Sequence, residues 1–279
     1  MTEKYTQHSI SGTSTAGVAT AITVGSFGVQ FDLGVITPES MGCSIVALSH
    51  AHLDHMASLP MWFDQWHFFN KHTKNSSVCL CPAPMVDPLK DLVDAYNKIA
   101  TLGNQRGGFS AEWVPVFDGD RYQIRESKNF LQAIETQHGC PSFAWAIMKP
   151  VTKRKDRYNG LSTLETHDLI KAGRDVLETK EAPQVVYVGD TLRCDALERP
   201  EFIEANTVIT ECTYFEDDHR SKARDRHHLH LDDIVELLDI WEADNVVITH
   251  VTKSTKIHEA KEMMAARCPQ HMDRIHFIR

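Results

Sequence analysis

The chain has 279 residues, with 29 Lys and Arg against 38 Asp and Glu, a formal charge of −9, 42% hydrophobic and 24% charged residues. A chain of this size buries about 75% of its unfolded surface without staples, and this composition excludes the disordered, collagen-like and disulfide-scaffold classes. The acidic balance gives no global attraction to phosphate backbones, and no run of about 18 apolar residues exists that would span a membrane as a helix.

The N-terminal stretch MTEKYTQHSISGTSTAG has no basic segment followed by an apolar one, so no secretory leader is expected. Short strands are predicted at AITV (21–24), VQFDL (29–33), SIVALS (44–49) and VCLC (78–81), apolar or β-branched runs punctuated by Gly, Pro and Ser. Helices are predicted over 59–69 and 84–102. The first begins with the aromatic segment MWFDQWHFF (61–69), read as core packing in preference to an interface or pocket wall. Strands continue at VPVF (114–117), YQIR (122–125), FLQAIETQ (130–137) and FAWAIM (143–148). The basic run KRKDR (153–157), read as the only dense cationic run, is expected to be a solvated loop. From there helices at 163–172, 231–241 and 256–267 alternate with strands at 185–190, 206–212, 245–250 and 275–278. That pattern is α/β. No repeat or linker divides the chain, so one domain over 1–279 is expected. The seven scattered cysteines lack paired CxxC spacing and fit a reducing cytoplasm.

Histidine is the residue out of proportion. The segment SHAHLDH (49–55) places His50, His52, Asp54 and His55 directly after an apolar strand. His50 and His52 project to one side in extended backbone, and Asp54 and His55 fall where the chain turns into a helix. Imidazole with carboxylate suits Zn²⁺, or Mn²⁺ and Fe²⁺, better than Ca²⁺ or Mg²⁺, and the lack of a cysteine argues against a purely structural zinc site.

This HxHxDH run resembles the metallo-β-lactamase superfamily, and the resemblance implies a four-layer αββα sandwich with a two-metal site on strand-end loops. It also implies three further ligands, which the sequence supplies in order: His138 after FLQAIETQ, Asp190 after VVYVG and His250 after NVVIT. By analogy His50, His52 and His138 hold one metal, Asp54, His55 and His250 the other, and Asp190 bridges. The neighbourhoods QHGCPSFAW (137–145), TECTYF (210–215), HLHLDD (228–233) and VVITHVTKS (246–254) look like the ribonuclease Z group of tRNA 3′-end endonucleases. In that group a glutamate supports a histidine beside the metals, and the matching positions are Glu211 and His228. Asp54 joins them as a catalytic residue. Ser142 and Thr191 are each either phosphate contacts or turn residues, and His227 and His230 are solvated or outer-shell.

The implied function is metal-dependent phosphodiester cleavage, most specifically 3′-end processing of precursor tRNA, by a possible homodimer. Two divalent ions, zinc before manganese or iron, lower the pKa of a shared water and clamp the attacking and departing oxygens. His228 protonates the leaving group and Glu211 orients it. Alternatives are a phosphodiesterase on a small cyclic-nucleotide-like diester, or an ester, thioester or lactone hydrolase on the same fold.

Overall fold

The computed structural model describes residues 8–70, 76–102 and 109–279, so most of the N-terminal stretch on which the leader expectation rested, residues 1–7, lies outside the described residues. Alternating apolar runs build two sheets. The first contains β1 (Ile10–Thr15), β2 (Ala19–Val24), β3 (Val29–Phe31), β4 (Ile45–Ala47), β5 (Val78–Pro82) and β6 (Glu112–Val116), side by side in that order. Its first two pairings are antiparallel and the rest parallel. The second contains β7 (Arg121–Gln123), β8 (Phe130–Thr136), β9 (Ser142–Arg154), β10 (Leu177–Tyr187), β11 (Thr207–Glu211), β12 (Asn245–Thr249) and β13 (Ile275–Phe277). It is antiparallel from β7 to β10 and parallel from β10 to β13.

Period-two alternation assigns each face. Phe143, Trp145 and Ile147 of β9 point at Ile45, Ala47, Val78 and Leu80 of the first sheet, making the core between the sheets. Ala144, Ala146 and Met148 point the other way, with Leu231, Ile234 and Leu238. Helices cover both outer faces. Among the described residues the helices are α1 (Leu53–Met56), α2 (Leu59–Asn70), α3 (Val86–Ala100), α4 (Thr163–Lys171), α5 (Pro200–Ile203), α6 (Arg220–Asp225), α7 (Leu231–Leu238) and α8 (Ile257–Arg267). With α2 and α3 on one side and α5, α7 and α8 on the other, the layers are αββα, as expected. Strands buried on both faces read as continuous apolar runs, which is why most were found within a residue or two.

Three local expectations need correcting. The aromatic segment is only partly core: Trp62, Phe63 and Trp66 are buried, but Met61, Phe68 and Phe69 are exposed. Second, β9 and β10 continue well beyond the predicted strands, pairing from Tyr187 and Trp145 out to Leu177 and Arg154. Residues 149–154 and 177–182 of this hairpin contain no buried position, and neither does α4 at its tip. The ladder hydrogen bonds persist where there is no core, so no apolar pattern marked them. Lys153 and Arg154 of the KRKDR run accordingly finish a strand instead of lying in a loop. Third, KRKDR is not the only dense cationic run, since RSKARDR (220–226) forms α6 and the residue after it. The Ser- and Thr-rich β1 also gave no strand signal.

Candidate metal centre

The parallel strands bring their carboxyl ends to one edge of the sandwich, the usual site position in α/β sheets. His50 follows β4, His138 follows β8, Asp190 follows β10, Glu211 ends β11 and His250 follows β12. From these ends the side chains converge. One donor atom from each of His50, His52, His138 and Asp190 lies within 4.8 Å of the others, and the same holds for Asp54, His55 and His250, and for Asp190, His228 and His250. Asp190 Oδ2 stands between the sets, 3.7 Å from His50 Nε2 and 3.4 Å from both His55 Nε2 and His250 Nε2. Asp54 Oδ2 lies 3.4 Å from His250 Nε2 and accepts the Gly17 amide at 2.8 Å.

A second layer of hydrogen bonds sets which nitrogen each ring presents. His55 Nδ1 donates to Asp32 Oδ2 at 2.7 Å, and His138 Nδ1 donates to the His227 carbonyl at 2.9 Å. Ser49 Oγ donates to Asp32 Oδ2 at 2.7 Å and so accepts from His50 Nδ1 at 2.9 Å. Thr213 donates to Glu211 Oε2 and so accepts from His250 Nδ1 at 2.9 Å. In all four rings the outer nitrogen is consumed and the Nε2 lone pair faces inward. His52 is reversed, with Nδ1 3.3 Å from His138 Nε2 and Nε2 towards the half-buried Cys140 Sγ at 4.0 Å.

The hub of this layer, Asp32, is a residue the sequence analysis passed over. It is fully buried, accepts the Ser49 amide as well, and takes a further hydrogen bond of 2.6 Å from the Tyr187 hydroxyl. Burial first, then the Asp32 charge, keeps that phenol protonated. Its sequence signal was the lone acid in VQFDL, a charge inside an otherwise buried run. Asp32, His227 and His250 all have left-handed backbones, with φ of 49°, 57° and 57°. Such a conformation costs a non-glycine residue about 1–2 kcal/mol, and these are held where side chains or carbonyls must point at the centre. Gly189 is required for a different reason: a Cβ there would stand 2.3 Å from Ser49 Cβ.

His228 lies between the donor sets, its ring 5.4 Å from that of His138 and 5.3 Å from that of His250. Its Nδ1 donates to Glu211 Oε1 at 3.0 Å, which leaves Nε2 for another partner. Burial lowers its pKa, but the Glu211 carboxylate, by charge and hydrogen bond, more than reverses this and holds it at about 9. His50 and His138 move the other way, lowered chiefly by burial. Ser142 and Thr191 are buried and serve the scaffold: Ser142 Oγ donates to the Asp190 carbonyl, and Thr191 bonds Glu211 and Gln137. His230 caps α7. His227 contributes its carbonyl.

The donor set fits divalent cations on two observations. His50 Nε2 is buried with no hydrogen-bond partner, the penalty expected of a nitrogen meant for an ion. The 3.3–3.4 Å spacings match the edge of a tetrahedron with bonds of about 2.0–2.1 Å.

An αββα sandwich bearing such donor sets on its strand-end loops defines a metal-dependent hydrolase of the metallo-β-lactamase class. The chain belongs to the beta-lactamase superfamily, whose domain profile, described as "Beta-lactamase superfamily domain", matches residues 36–251. It is similar to tRNase Z TRZ1 of Arabidopsis thaliana, 23% identical over 263 residues, covering 93% of this chain and 91% of that protein. It is similar also to the ribonuclease Z of Macrococcus caseolyticus, 23% identical over 240 residues, 79% of this chain and 74% of that one. Of solved structures, the metallo-beta-lactamase fold protein YhfI from Bacillus subtilis aligns with a TM-score of 0.64 at 13% identity, over 96% of this chain and 93% of that one. The short form of human tRNase Z aligns with a TM-score of 0.58 at 16% identity, over 87% and 92%. These structures share the fold. Among the described residues no helix is long and apolar enough to cross a membrane.

Proposed function

We propose that the chain is a two-metal phosphodiesterase of ribonuclease Z type, which cuts 3′-extended precursor tRNA. The observation that carries this reading is the Glu211–His228 pair set between the two donor groups, because a departing ribose oxygen needs a proton and an acyl transfer does not require that pair. His50, His52 and His138 would hold one ion, Asp54, His55 and His250 the other, with Asp190 shared; zinc suits the nitrogen-rich set best. Two such ions supply an activated water and neutralise charge at phosphorus.

The remaining steps belong to the chain itself. Glu211 keeps the His228 ring protonated and turned so that Nε2–H can donate to the leaving oxygen. Thr213 and the Thr191 amide occupy Glu211, so the carboxylate cannot swing away. Asp54, the most accessible carboxylate of the cluster, positions and deprotonates the attacking water at the mouth, steadied by the Gly17 amide. Asp32 and Ser49 hold His55 and His50 through the cycle. All seven cysteines are free, which supports a reducing compartment such as the cytoplasm.

The test is a substrate panel given to zinc- or manganese-loaded protein: 3′-extended precursor tRNA, a cyclic dinucleotide, a thioester and a lactone. Discrete cleavage near the tRNA 3′ end is expected. Hydrolysis confined to the thioester or lactone overturns the phosphodiesterase reading, and turnover of the cyclic dinucleotide alone moves the substrate to a small diester.

A further inference from the structure

Beside the metal centre lies the cationic helix α6, whose side chains the chemistry above does not use. Residues 220–226 carry Arg220, Lys222, Arg224 and Arg226 against the single acid Asp225, a net +3 in a chain of net −9. The helix is tied to the site through its backbone. The His228 amide donates to the Ala223 carbonyl at 2.9 Å and the His227 amide to the Arg224 carbonyl at 3.1 Å, so the last turn of α6 leads directly into the residues that orient His138 and carry the proton. Tyr214 packs beneath: its ring lies 6.1 Å from that of His228, with the Lys222 ammonium 5.3 Å over it. The Arg226 guanidinium is near enough to the Tyr214 hydroxyl for its charge to oppose the burial that raises the phenol's pKa.

What distinguishes Lys222, Arg224 and Arg226 is their lack of carboxylate partners among the described residues. Arg220 pairs with Asp232. Asp217 and Asp232 are both held by Arg267, and Glu216 by His219, so these three acids are spent elsewhere. Lys222, Arg224 and Arg226 are exposed and have no ion pair among the described residues. The other cationic run is the opposite case. Lys153 and Lys180 share Glu178, and Lys155 pairs with Asp175, in the part of the β9–β10 hairpin remote from the strand ends that bear the centre. In an acidic protein, unpaired cations at the mouth of a site are the local patch that a polyanion requires.

We propose that α6 is a phosphate-binding subsite in which Lys222 and Arg226, braced on Tyr214, hold the backbone of a single-stranded RNA segment flanking the scissile phosphodiester. The proposal rests on the phosphodiesterase reading and deepens it. Each phosphate contact on a single strand adds about 0.7 to the slope of log affinity against log salt.

The experiment is fluorescence anisotropy of a fluorescein-labelled single-stranded RNA dodecamer titrated with the metal-loaded protein between low and moderate salt. For Lys222→Gln/Arg226→Gln the affinity is expected to fall about tenfold at low salt and the slope by about 1.4. Lys171→Gln/Arg174→Gln, which removes two cations from the hairpin tip, is expected to change affinity less than about twofold. Arg226→Lys should restore most of the slope, since it keeps the charge. Unchanged affinity and slope in the α6 variant, or an equal loss in the tip variant, overturns the subsite. Binding is read independently of turnover, so a failed phosphodiesterase assignment shows separately, as a parent protein that holds the dodecamer and cuts no phosphodiester.

Discussion

Both oxygens of Glu211 are occupied, one by His228 and the Thr191 amide, the other by Thr213, and that fixation gives the carboxylate its hold on the imidazole. Because Glu211 raises the His228 pKa, the acid form persists towards about pH 9. Glu211→Gln removes the raising charge, so the alkaline limb of kcat/KM is expected to move to lower pH while the acid limb stays; a pH profile of parent and variant checks this. Asp32 acts one step further out. Asp32→Asn takes away the acceptor of His55 Nδ1 and disturbs Ser49 behind His50, and metal affinity is expected to drop about 10- to 100-fold, measured by competition with a chelating dye. The HxHxDH run was legible because its residue types and spacing are themselves the chemistry. Asp32, Thr213 and the His227 carbonyl were not, since a residue that acts by holding a ligand from another strand leaves no local spacing to read.

Strands and helices were legible where they touch the core. Trp145 shows why: it is 1% exposed at the centre of β9, and its indole N–H donates to the Leu48 carbonyl at 3.0 Å, joining the two sheets. Trp145→Ala is expected to destabilise the fold by about 3–5 kcal/mol, read by denaturant unfolding of the metal-free protein. The β9–β10 extension lacks such contacts, and α6 buries Ala223 alone. Their order comes from ladder bonds, from the Ser162–Glu165 capping box of α4, and from backbone closure onto His227 and His228, none of which imposes an apolar period. Gly189 belongs to this scale too, because the approach of β10's end to Ser49 leaves no room for a methyl. Gly189→Ala should lower both thermal midpoint and metal content.

Across the whole molecule, the two sheets contribute opposite halves of one site: Asp32, His50, Asp54 and His55 come from the first, His138, Asp190, Glu211 and His250 from the second. Buried Asp32 and Asp190 call for positive charge at the seam, and cations held there would join the sheets. Stripping metal with a chelator is therefore expected to lower the melting temperature by several degrees, a shift that grows with the logarithm of ion concentration over its dissociation constant. The order of the strand-end residues proposed as ligands was read from sequence, but their convergence depends on contacts such as that between Asp54 and His250, 196 residues apart, which only the fold supplies.

The most direct test of the central claim compares parent and His228→Ala, each first shown by elemental analysis to carry two metal ions, on 3′-extended precursor tRNA. Discrete cleavage near the 3′ end by the parent, reduced about 10²- to 10⁴-fold in the variant at unchanged metal content, is the predicted result. A variant that cleaves as fast as the parent, or a two-metal parent that leaves the precursor intact, would contradict it.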